Sequence, residues 1–484
     1  MGKIIGIDLG TSNCLAAIWN NGLSRLIPND VREYQTPSVV SFDEDGTVYV
    51  GKEAEERLVS HPESTVRDFK RFLGTDKKYS VFDKTYCPEE LTAILLRRIK
   101  EDAEKYLKEP VEEAIISVSA GMDDAARLAV KRAGALAGLK VEQLMNEASA
   151  AALACQSTNR DRNVTIMVLD LGGGTLEVTL AECFGKMVEI MAVGGDRKLG
   201  GQDMDEALAK YFLQSHGLEE DKLTPETKAL LLKSAETCRR ALTEEMTAEM
   251  TVQCDQINGQ LTVTREKLKE IFAELFERMG AHVEAVLQSG RTRKDMVDYL
   301  IMVGGCCNMP VVQQTAKCIL ERSDVDAMNA DYMVALGMGV AAGMKEENRE
   351  VKNLVFTDIN PYALGVSVKN GVCQGKSALP EDGISFVIPQ NSPIPCSIEK
   401  SYANASDDQT ELLLEIYKSK TADAQDVVLV KKIPVAIPKG PAGTVQCQVR
   451  YAYDINGILE VDLHIPMTGE KRRLIPEKTE KECS

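Results

Sequence analysis

Apolar positions recur along the chain at two periods, and the period changes near residue 350. Before that point, short apolar runs such as Ile4-Ile5-Gly6-Ile7, Ile166–Leu169 and Tyr299–Val303 read as buried strands. Between them, Leu91, Ile94, Leu95 and Ile99 recur at helical spacing in a segment that reaches Tyr106. Alternation of strands with long amphipathic helices is the grammar of an α/β domain. After residue 350, Leu412, Leu414 and Ile416 share one face of Glu411–Tyr417, and Val445–Ile465 reads as a hairpin turning at Asn456-Gly457. That grammar is all-β. Proline follows the same divide, with ten of the 17 prolines from Pro361 onward. The pattern predicts an α/β domain over 1–348, a connector over 349–358, an all-β domain over 359–476 and a polar tail over 477–484. In the connector, the polar run Glu346–Glu350 precedes Leu354-Val355-Phe356, three apolar residues where an ordinary linker is polar. They either dock on a neighbouring surface or begin the β domain.

Composition narrows the function classes. The chain has 484 residues, room for about three domains. It is 44% hydrophobic and 27% charged, with a mean hydropathy of -0.18, and no apolar run long enough to span a bilayer, so no membrane role is expected. A balance of 57 basic against 74 acidic residues gives a net charge of -17, the wrong sign for binding nucleic acid. The N-terminus MGKIIGIDLG lacks a cleavage site and does not read as a secretory signal. Thirteen scattered cysteines without a CxxC pair fit small buried hydrophobes in a reduced, cytoplasmic compartment.

Candidate chemistry enters with an internal repeat. Ile4–Ile18 contains a strand ending in Asp8, a turn through Gly10-Thr11-Ser12-Asn13, and a returning strand. Ile166–Leu180 repeats it with Asp170, Gly172-Gly173-Gly174 and Thr175. Glycine lets backbone N–H groups close on phosphate oxygens, and a carboxylate at a strand end can hold Mg²⁺ through water. Two such turns facing each other would clamp a triphosphate. A third apolar strand, Tyr299–Val303, runs into Gly304-Gly305, with Pro310 placed to open a helix. Neither a Rossmann fingerprint nor a Walker loop fits the spacing.

These segments resemble the actin-like ATPases and, among them, the 70-kDa heat-shock chaperones of the DnaK family, including their short HscC-like branch. The resemblance is carried by IGIDLGTSN at 5–13, FKRFLG at 69–74, NEASAAALA at 146–154, DLGGGTLEV at 170–178, LGGQDMD at 199–205, AETCRRALT at 235–243, VGGCCNMP at 303–310, DINPYALGV at 358–366, IPQNSPIP at 388–395 and YDINGILEV at 453–461. It implies a two-lobed, actin-like ATPase domain, an apolar linker and a β-sandwich that binds extended hydrophobic peptides of unfolded proteins. It further implies ATP or ADP with Mg²⁺, and K⁺ as an accessory ion, and as partners a J-domain co-chaperone and a nucleotide exchange factor.

Carried over residue by residue, the resemblance gives Asp8, Asp170 and Glu177 to the metal and its waters, and Lys70, Glu147, Asp170 and Thr175 to catalysis. Gly10, Thr11, Ser12, Asn13, Gly172, Gly173 and Gly174 fall to the phosphates, joined by Gly200 and Gly201. Glu236, Arg239, Arg240, Gly304, Gly305, Asn308 and Asp331 fall to the nucleoside. Val366, Tyr402, Ala405, Leu412, Leu414 and Ile416 fall to the peptide groove, though the same alternation would also suit a plain sandwich core. Several positions depart from the family pattern. Glu177 stands for Asp, Asn308 for an Arg that stacks on adenine, Ser119 and Ala148 for prolines, and Gly121-Met122 for an aromatic pair, while Lys369 replaces an apolar arch residue. The family's helical lid has no counterpart before Ser484, so either a lidless form or a trimmed piece of a longer chain is expected. The first reading is an ATP-hydrolysing chaperone; the second is a DnaK-like ATP-binding sensor with little coupled hydrolysis.

Overall fold

The computed structural model describes residues 2–158, 163–196, 198–322, 331–369, 371–373, 384–419 and 427–475, with backbone alone at 59, 158, 225, 368, 369 and 371–373. The chain divides into two compact units between Phe356 and Thr357.

The first unit is built around two large sheets, each with its own apolar core, with smaller two- and three-stranded sheets beside them. In one sheet the strand order is Leu144–Asn146, Val111–Val118, Lys3–Leu9, Asn13–Asn20 and Leu23–Ile27, with Thr36–Pro37 also pairing to the Asn13–Asn20 strand. Lys3–Leu9 runs parallel to Val111–Val118 and antiparallel to Asn13–Asn20. Ile5, Ile7, Ile115 and Ile116 are fully buried, as expected of strands covered on both faces. The other sheet repeats the plan. Tyr299–Val303, Val164–Leu171, Leu176–Phe184 and Met187–Asp196 follow one another, the first pair parallel and the rest antiparallel. Each lobe thus carries a hairpin whose tight turn lies at the end of a buried strand. The internal repeat of the sequence is this pair of hairpins.

Helices cover the sheets where the helical period demands it. Pro88–Leu107 opens with proline in its first turn and a Cys87/Glu90 capping box, and it buries Leu91, Leu95, Leu96 and Ile99. The Ala-rich helix Glu147–Thr158 packs on the final helix of the unit, Met333–Lys345. Fully buried Ala148, Ala150, Ala151 and Ala152 permit a close approach. No helix among the described residues is long and apolar enough to cross a membrane.

The connector combines both of its expected behaviours. Leu354 is buried, and a strand begins at Val355 and runs to Asn360. The Val355 N–H donates to the Lys186 carbonyl at the hairpin turn of the second lobe, 2.9 Å away.

The second unit is two antiparallel sheets. Ser385–Ile388, Ala363–Lys369, Glu411–Ser419 and Val427–Ala436 form one, and Gly371–Cys373, Cys396–Asn404, Gln446–Tyr453, Leu459–Ile465 and Glu470–Ile475 the other. Alternating residues from both fill one core, including Leu364, Leu412, Ile416, Val449, Tyr451 and Leu463. The hairpin foreseen at Asn456-Gly457 is present, its turn closed by the Asp454 carboxylate, which accepts from the Asn456 and Ile458 N–H groups. The side chain of Lys369 lies outside the described residues.

Candidate functional site

Four carboxylates gather where the hairpins of the first unit end. Asp8 accepts from the Ser117 hydroxyl at 2.8 Å, and that hydroxyl accepts in turn from the Leu9 N–H at 3.0 Å, so strand and carboxylate share one brace. Asp170 faces Glu177 directly across its hairpin. Glu147 opens the Ala-rich helix, and its Oε1 accepts from Lys70 Nζ at 2.8 Å. Lys70 comes from the 3₁₀ turn Phe69–Phe72 and is buried.

The electrostatics of the cluster are set by burial and by its own negative charge. Burial, then the Glu147 charge, pushes Asp8 up to about 7 against the lowering pull of Lys70 and Ser117. Asp170 is raised well above the usual carboxylate range by burial and by Glu147, Glu177 and Asp8. Burial pulls Lys70 down, yet the Glu147 carboxylate outweighs it and holds the ammonium above its ordinary value. One lysine charge therefore serves several carboxylates. A divalent cation would correct the imbalance, and the all-oxygen donor set suits Mg²⁺. Among the described residues no three acidic, His or Cys side chains form a group that could ligate a metal directly.

Both glycine turns are tied to their surroundings. Ser38 donates its N–H to the Ser12 carbonyl and its hydroxyl to the Gly10 carbonyl, each at 2.8 Å. The second turn lies against the start of the helix Gly201–Ser215: the Gly201 N–H donates to the Gly172 carbonyl at 3.0 Å and the Gln202 N–H to the Gly173 carbonyl at 2.8 Å. A side chain at Gly200 would put its Cβ 2.5 Å from the Gly174 nitrogen, so only glycine admits this contact. The positive end of the helix faces the turn. Thr11 and Asn13 are half-buried, and Ser12, Gly173 and Thr175 are exposed, all open to a ligand. The third strand completes the floor. Gly304 has φ +88°, and a Cβ there would sit 2.6 Å from Asp170 Oδ1.

The nucleoside candidates separate by exposure. Arg240 is exposed and pairs with Glu236 at 2.8 Å one turn back. Arg239 points the other way, buried against Asp205 at 2.6 Å, with its guanidinium beside Cys306 and Met309. It backs Gly201, where a Cβ would lie 3.1 Å from its Nη2. Asn308 Nδ2 makes two long contacts to the Asp331 carboxylate, 3.4 and 3.5 Å. An arginine at 308 would find the same carboxylate as an anchor and present a cationic face to a base. Asn308→Arg should therefore tighten ATP binding about 2- to 30-fold by calorimetry; equal or weaker binding would remove base stacking from the site.

Several partners were not legible beforehand. The Glu177 carboxylate accepts from the Ala120 N–H at 2.9 Å and the Ser119 hydroxyl at 3.2 Å, joining the second lobe to the segment after Val111–Val118. The longer acid and the serine that stands in place of a proline thus meet each other. Arg127 donates to the Ser119, Ala120 and Met122 carbonyls and to Asn146 Oδ1, fixing the same segment from behind.

In the second unit, Val366, Tyr402, Leu412, Leu414 and Ile416 are each 3% exposed or less, while Ala405 is exposed. Tyr402, Leu412 and Leu414 line a small apolar cavity with Val435, Cys447, Val449 and Leu463. At its side the Tyr402 and Tyr451 hydroxyls share a hydrogen bond of 3.1 Å. A peptide side chain would enter there only after the two sheets give way locally.

Comparison with known proteins agrees over nearly the whole chain. The family model described as Hsp70 protein matches residues 4–85 and 76–483. The chaperone protein DnaK of Methanothermobacter thermautotrophicus is 35% identical over 487 residues, covering 98% of this chain and 79% of the relative.

Proposed function

Because the chain belongs to the Hsp70 family, we propose that it hydrolyses ATP between its two lobes and uses that hydrolysis to govern binding of extended hydrophobic peptides in its β-sandwich. The observation that carries the reading is the carboxylate cluster beside the two glycine turns, with the buried Lys70 bonded to Glu147 at 2.8 Å. Hsp70 proteins bind ATP and ADP with Mg²⁺, which when bound neutralises phosphate charge. Asp8, Asp170 and Glu177 would hold that ion through water, and K⁺ is proposed as an accessory ion. Lys70, kept charged and pointed by Glu147, orients the attacking water toward the terminal phosphate. The Gly10–Asn13 and Gly172–Thr175 turns fix the phosphates in line. Phosphoryl transfer needs positioning and charge stabilisation rather than a covalent intermediate, and this set supplies both.

The peptide site is the cavity lined by Tyr402, Leu412 and Leu414, with Val366, Ile416 and Ala405 around it. A J-domain co-chaperone and a nucleotide exchange factor are the proposed partners. The proposed setting is cytoplasmic, which the thirteen scattered cysteines without a CxxC pair suit.

The connector supports coupling, since Leu354 is buried and Val355 is bonded to Lys186 within the first unit. A charge at this point should break the contact. Phe356→Asp is expected to leave ATP binding intact and to remove stimulation of hydrolysis by peptide. Stimulation that survives the substitution would place the coupling elsewhere.

A further inference from the structure

A second polar contact between the lobes lies over the Gly172–Gly174 turn, and neither the carboxylates nor the nucleoside wall uses it. Arg71 follows Lys70 in the 3₁₀ turn Phe69–Phe72 and is exposed. Its Nη1 donates to Gln202 Oε1 at 2.6 Å, across 131 positions of sequence. Its Nη2 lies 3.4 Å from the point where a Cβ on Gly174 would stand, and Gln202 Oε1 lies 3.5 Å from the same point. Gln202 is also held from below, because its N–H donates to the Gly173 carbonyl at 2.8 Å. The pair therefore spans from the turn that carries Lys70 to the helix that backs the phosphate turn, and passes directly above the turn's last glycine. Gly174 leaves the room for it.

We propose that Arg71 and Gln202 form a clasp that closes the phosphate end of the cleft, and that opening it limits nucleotide release. The proposal rests on nucleotide binding between the turns. Three features of the pair fit it. Both side chains are exposed, so the bond can open without unfolding anything. The bond joins elements of separate cores, so its opening lets the lobes part. The guanidinium has donors beyond the one given to Gln202, and a phosphate leaving past Gly174 meets them first. Arg71 is a positioning residue in this account, because the water is oriented by Lys70.

The test is stopped-flow release of an N-methylanthraniloyl-ADP probe with Mg²⁺, chased with unlabelled ADP, in the full chain and in Arg71→Ala, Gln202→Ala and the double variant. Loss of one exposed charge-assisted hydrogen bond should speed release about 3- to 10-fold in either single variant. The double variant should be no faster than the quicker single, since both remove the same bond. Unchanged release in Gln202→Ala, or effects that multiply in the double variant, would overturn the clasp while leaving the cleft reading in place. No binding of the probe by the parent chain would overturn both.

Discussion

Lys70→Ala is expected to slow single-turnover ATP hydrolysis by about 10²- to 10³-fold, the usual cost of losing one preorganised electrostatic contact at a reacting centre. Lys70 Nζ sits 2.8 Å from Glu147, and its charge acts on both Asp8 and Asp170. Removing it takes away the group that orients water and leaves the carboxylates without their local counter-charge. The phosphate turns and their braces at Ser38, Gly200 and Gly201 are untouched, so ATP should still bind. Acid-quench turnover gives the rate and calorimetry gives the binding. Turnover equal to the parent's would remove Lys70 from the mechanism.

Leu412→Asp should abolish peptide binding, with at least about a 100-fold loss of affinity, because a charge placed in an apolar pocket without a partner costs several kcal/mol. Leu412 is 2% exposed and lines the cavity between the sheets, so the same change should lower the stability of the second unit. The volume-conserving Leu412→Met tells the two effects apart. It should keep both fold and binding. Fluorescence anisotropy of a labelled Leu-rich peptide reports affinity, and denaturant unfolding reports stability. Peptide binding that persists in a folded Leu412→Asp protein would move the groove away from this cavity.

Much of the fold could be read from period and punctuation. The two hairpins announce themselves because Asp at a strand end and glycine in a turn have few structural uses, and because the pattern occurs twice. The helix opened by Pro310 was legible because proline suits a first helical turn. The braces were not. Ser38, Ser117 and Gln202 are single polar residues whose partners lie far away in sequence, and nothing local marks them. Adjacent positions on a helix also point about 100° apart, which is why Arg239 turns into the wall while Arg240 stays outside. Alternation at Leu412, Leu414 and Ile416 shows that the three share a face. Whether that face meets solvent or the opposite sheet is decided by tertiary packing, and here it meets the sheet. The connector is similar: three apolar residues promise a contact, and only the fold supplies the Lys186 carbonyl.

The central claim is that ATP hydrolysis between the lobes is coupled to peptide binding in the sandwich. The measurement that tests it most directly is steady-state ATP hydrolysis by the full chain with and without a saturating, extended Leu-rich peptide. The account predicts slow basal turnover that depends on Mg²⁺ and rises when the peptide is added. Turnover that is present and indifferent to a peptide shown to bind would contradict it, and would leave an ATPase and a peptide-binding domain that share a chain without sharing a cycle.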